Sequence, residues 1–121
     1  MALKISGTKE RTIAIEATEP LDMGKIKQHK FIATLAVIPR DEWELMFKGD
    51  DKPTDTGVLM ETLINIDGIV DENDQPVAFD ENVKLAVIAE PWLVSALIEQ
   101  QIAIQNGKTS AEYRKMKLKN S

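Results

Sequence analysis

The densest group of potentially ligating side chains lies in one run, INIDGIVDENDQPVAFDEN, which holds Asp67, Asp71, Glu72, Asp74, Asp80 and Glu81. Closely spaced carboxylates are the oxygen-rich set that a hard divalent cation takes. A helix–loop–helix calcium loop needs oxygen ligands at alternate positions, glycine at the sixth and glutamate at the twelfth. Counted from Asp71, the sixth position is Pro76 and the twelfth is Asn82, so the pattern fails where it is most demanding. An asparagine cannot give a bidentate carboxylate. Turn chemistry accounts for more of the residues. Ile69 and Val70, then Val77, Ala78 and Phe79, are short apolar pieces flanking DENDQP. They predict a small hairpin or extended excursion over 68–79 between two helices, with Gly68 at the exit of the first and Asp80 capping the second. No metal is expected there.

The other residue types with chemical potential are scattered. His29 is the only histidine and stands among Lys27, Gln28 and Lys30, which reads as a surface loop and not as a triad or an imidazole metal centre. Ser6, Ser95, Ser110 and Ser121 lie in no G-x-S-x-G run. The six glycines stand singly, with neither a Walker A sequence nor a dinucleotide pattern. Cysteine is absent, which removes disulfides, thiolate ligands and thiol nucleophiles together. Asp41, Glu42 and Glu44 read as the solvated start of a helix and not as an acid–base pair. A non-enzymatic protein without cofactor is the expectation. Trp43 and Trp92 remain, each early in a predicted helix, and each suits either a core anchor or contact with a partner.

The whole chain frames these residues. Its 121 residues, 43% hydrophobic and 29% charged, fit one soluble domain with a modest core. A net charge of −5 argues against a general nucleic-acid surface. No apolar run approaches the roughly 18 residues that span a bilayer. The N-terminus has no apolar signal core, so a cytoplasmic protein without a membrane partner is the expectation. After Gly107, five basic residues stand against Glu112, a net +4 that leaves −9 on the rest. The chain therefore divides into one α+β domain over 1–107 and a basic tail over 108–121, whose polar composition predicts disorder.

The elements expected to position these residues follow from periodicity. RTIAIEATE alternates, with Ile13 and Ile15 on one face, and KFIATLAVIP is a second strand stopped by Pro39. PLDMGKIKQH is the loop between them, and ALKIS is a candidate third strand of the small antiparallel sheet. Beyond Pro39 the period becomes helical. PRDEWELMFKG places Trp43, Met46 and Phe47 on one face, and TDTGVLMETLINI reads as a second helix burying Leu59, Leu63 and Ile66. FDENVKLAVIAEP reads as a third, with Val83, Val87 and Ile88 inward. Pro91 then opens PWLVSALIEQQIAIQN, ended by Gly107, in which Leu93, Leu97 and Ile104 share a stripe. The fold class is α+β: a small N-terminal antiparallel sheet, then about four helices, with the 68–79 excursion among them.

Two runs carry a resemblance beyond this. In IPRDEWELMFK, Arg40, Glu42 and Trp43 open a helix. In GIVDENDQPVAFDENVKLAVIAEPWLVSALIEQQ, Asp71, Glu72, Asn73, Pro76, Phe79, Glu81 and Asn82 keep an ordered spacing, and Pro91 leads the last helix. Over roughly Phe31 to Gln105 the chain resembles the tail assembly chaperones of long-tailed bacteriophages and related prophages. Many members have a tryptophan just before the second run, where this chain has Ile66 and Asp67. The resemblance implies a non-enzymatic chaperone in the bacterial host cytoplasm, absent from the mature virion. It would bind and solubilise the tape measure protein and help recruit the major tail protein as the tail tube assembles. It also implies a homo-oligomer, since coating a rod takes many copies. A longer form made by ribosomal frameshift would begin near the basic tail. Partner contacts are expected on the Trp43 helix and the last helix, at Trp43, Phe47, Trp92, Leu93 and Leu97. The competing readings are a structural head–tail joining or tail protein, and a metal-regulated protein-binding module.

Overall fold

A computed structural model describes residues 10–107. Two long strands, β1 (Glu10–Pro20) and β2 (Ile26–Ala36), form an antiparallel hairpin in register from Glu10↔Ala36 to Pro20↔Ile26. Alternation in the sequence becomes two faces. Ile15, Ala17, Ala33 and Leu35 are buried, whereas Thr12, Ala14, Glu16 and Thr18 face solvent. Cross-strand pairs line the outer face: the Thr12 and Thr34 hydroxyls lie 3.1 Å apart, and Lys30 reaches Glu16 at 3.6 Å. The connection is tighter than the loop expected over 20–29. A single 3₁₀ turn, Asp22–Gly24, reverses the chain, and Ile26 to His29 already belong to the strand.

A third strand forms where periodicity suggests the end of a helix. Helix α1 (Arg40–Met46) follows the hairpin, then α2 (Asp55–Thr62), whose first turn is capped by the Thr54 hydroxyl accepting from the Gly57 N–H at 3.1 Å. The helix expected through Ile66 stops at Leu63, and β3 (Leu63–Asp67) pairs antiparallel with β2, Ala33 opposite Ile66. The sheet order is β1-β2-β3. The candidate strand Ala2 to Ser6 and the basic tail over 108–121 lie outside the described residues. Two helices complete the α+β fold: α3 (Glu81–Ile88), capped by Asp80 as expected, and α4 (Pro91–Gln105), with Pro91 in its first turn. They are bent by 97° where Glu90, the residue before the proline, leaves helical geometry. Among the described residues no single helix is long and apolar enough to cross a membrane.

The helices form one layer on the inner face of the sheet. α4 packs over β1, α2 over β2 and β3, and α3 against both helices. Ile15, Leu35, Leu59, Leu63 and Leu97 form the centre of the core, each 2% exposed or less. On α3 the expected face holds, with Val87 buried and Val83 and Ile88 packed against the core. On α1 the expected face is only half-covered: Trp43 and Met46 are partly buried, every other residue of the helix is exposed, and none reaches the core. Helix α1 hangs from the far end of α4 by polar contacts. The Gln105 Nε2 donates to the Ile38 carbonyl at 2.9 Å, and the Ile38 N–H donates to Gln105 Oε1 at 2.8 Å. One side-chain amide thus reproduces both hydrogen bonds of a strand pair. Gln101 Nε2 adds bonds to the Ala36 carbonyl and to Gln105 Oε1, both 2.9 Å.

Candidate functional site

The first turn of α4 supplies the residue around which one concavity forms. With Pro91 at the helix start, Trp92 projects back toward the end of the hairpin and stacks on His29, ring centroids 4.8 Å apart and planes inclined by 29°. His29 lies on the inner face of β2, and its Nε2 meets Glu19 Oε1 of β1 at 2.9 Å. The surface-loop position expected for His29 is therefore corrected: it is a half-buried strand residue that braces an indole. Contact between residues 63 positions apart depends on how α4 lands on the sheet, and no local pattern foretells it.

Opposite Trp92 stands the 68–79 excursion, a short hairpin closed by a Val70↔Pro76 bridge. Gly68 leaves β3 at φ +100, a backbone conformation that side-chain-bearing residues rarely adopt. Asp71 pins the turn, its Oδ1 accepting from the Asn73 N–H at 2.8 Å and the Gln75 N–H at 3.0 Å. Asp80 Oδ1 accepts from the Val83 N–H at 2.8 Å. Among the described residues no three His, Asp or Glu side chains are grouped closely enough to hold a metal ion. The backbone engages the two acids that sequence spacing singles out as turn and cap.

Between hairpin, β2 and the α3–α4 corner lies a cleft of about 370 Å³. Phe31, Ile66, Val87 and Leu93 contribute apolar walls, and Val70, 52% exposed, stands on its lip. The rim is bipolar: β2 brings Lys27, and the hairpin brings Asp71 and Asp74. Such a site offers desolvation to a large apolar side chain and orients it through charges on either hand.

The residues expected to meet a partner separate into three places. Trp92 and Leu93 line this cleft. Trp43 of α1 and Phe47 just past its end pack edge to face, centroids 4.9 Å apart, and Trp43 lines a pocket shared with Gln105 at the opposite end of α4. Trp92 and Gln105 are thirteen residues apart on one helix, so about 20 Å separates the two tryptophan sites. Leu97 is corrected: fully buried in the core, it presents no surface to another molecule. Sequence reasoning missed Val70, Phe31 and Lys27. Val70 alone carried a signal, as an apolar residue beside turn formers.

No protein-family model matches the chain, and neither does a curated protein or a solved structure.

Proposed function

We propose that this chain is a non-enzymatic tail assembly chaperone of the long-tailed phage type, acting in the host cytoplasm and absent from the finished particle. It binds the helical tape measure protein, keeps its apolar surface from aggregating, and helps bring the major tail protein to it. The observation that supports this reading is the cleft at Trp92: an open, apolar-walled groove with a lysine rim and an aspartate rim. One apolar anchor of an amphipathic helix fits such a groove, with basic and acidic neighbours on the helix meeting Asp71 and Lys27. A long helix would also reach the Trp43–Phe47 surface, about 20 Å away along α4.

Calorimetric titration of a helical tape measure fragment into the chain tests the proposal. Trp92→Ala is expected to weaken binding about 30-fold, the effect of losing an aromatic anchor of about 2 kcal/mol. Trp92 also braces the fold through His29, so Val70→Asp provides a second probe at a position already half in water. It should weaken binding in the same direction, and Trp43→Ala should do so less. Undiminished binding by both cleft variants, with unchanged circular dichroism, would exclude the cleft as the site.

A further inference from the structure

Strand β1 is an open edge of the sheet. On one side β2 pairs with all of it, and among the described residues nothing pairs with the other. Natural sheets cover, shorten or charge such an edge, because its unpaired N–H and C=O groups template another strand. Here eleven residues are open, and from Thr12 to Thr18 only Glu16 is charged. The helix layer points to the same boundary. α2 lies over β2 and β3, whereas α4 lies over β1, the strand at that edge. α4 carries apolar residues around most of its circumference, the composition of an interior helix. Ile98 and Ile102, one turn apart, are nonetheless only partly buried.

We propose that this seam is a homodimer interface, β1 pairing antiparallel with β1 of a second copy about a two-fold axis at Ile15. A continuous six-stranded sheet results, with the two α4 helices side by side above it. Charge selects the register. An axis at Ile15 sets Arg11 opposite the partner's Glu19 twice over, with Ile13 opposite Ala17 and Thr12 opposite Thr18 between them. Among the described residues Arg11 has no acidic partner and donates only to the adjacent Glu10 carbonyl, at 2.9 Å. An axis at Glu16 would set that carboxylate against its own copy, and an axis at Ala14 would leave Arg11 facing Ala17. A one-residue slip would turn every side chain to the wrong face. Glu19 also holds His29 through Oε1, which leaves Oε2 for the partner's Arg11; the seam needs no occupant in the helix-binding cleft, so each proposal can fail without the other.

The chain contains no cysteine, so introduced thiols report the register directly. Ala14→Cys and Glu16→Cys alter exposed outer-face positions that the Ile15 axis brings opposite each other. The unmodified chain is expected to sediment at twice its 13.5 kDa. Mild oxidation of an equal mixture of the two variants should yield far more covalent dimer than either alone. Ile102→Glu should weaken the dimer about tenfold or more, with unchanged circular dichroism. A monomer at every concentration would overturn the proposal, including one whose β1 amides are protected because the chain's own residues 1–9 cover the edge. So would a dimer in which the thiol mixture fails to cross-link.

Discussion

Asp71 and Asp80 stand at two joints of the chain and act alike. Each carboxylate accepts from backbone N–H groups that a turn or a helix start would otherwise leave to water. Asp80→Ala is expected to lower the unfolding free energy by about 1 kcal/mol, the usual cost of a lost N-cap. Asp71→Ala should cost about as much through the turn. Urea titration reads both as a lower midpoint at unchanged slope, and midpoints equal to that of the unaltered chain would deny the acids these roles. The Asp80 cap was legible in sequence, because an aspartate immediately before a helical apolar run is a local signal. His29 was not. Its partners are Glu19 across the hairpin and Trp92 on the last helix, and its charged neighbours in sequence describe only the strand's outer face and rim.

Among the elements, the joint between α2 and β3 shows why correct burial coexists with a wrong secondary structure. Leu59, Leu63 and Ile66 fit a helical stripe, and all three are buried. Yet Ile64, Asn65 and Ile66 suit a strand as well, and β2 supplies hydrogen bonds to a strand there. A tertiary partner decided between two periods that the short run allowed. Helix α1 differs: its Trp43, Met46, Phe47 spacing is amphipathic, and Trp43 and Met46 are its partly covered residues, but none of them reaches the core. What holds α1 is the Gln105 amide on Ile38, a contact across 67 residues. Gln105→Ala should therefore cost about 1–3 kcal/mol, by freeing a partly buried backbone N–H and C=O. It should also speed amide exchange in α1 more than in α3. Equal exchange in the two helices would show that α1 is held by something else.

Across the whole molecule, one helix organises both the cleft and the edge of the sheet. α4 carries Trp92 into the cleft at its start, bonds Ile38 ahead of α1 through Gln105 at its end, and packs on the edge strand β1 between them. The α+β class and most of the core were legible in sequence because periodicity records burial. The cleft was not, since three segments remote in sequence build it and only the bend before Pro91 brings them together. Its proposed occupant is an apolar anchor of a tape measure helix, and amide hydrogen exchange tests that most directly. On adding a helical tape measure fragment, exchange should slow in the 68–79 hairpin and in the first turn of α4, with weaker protection at α1. Protection confined to other surfaces, or none while the fragment is bound, would contradict it.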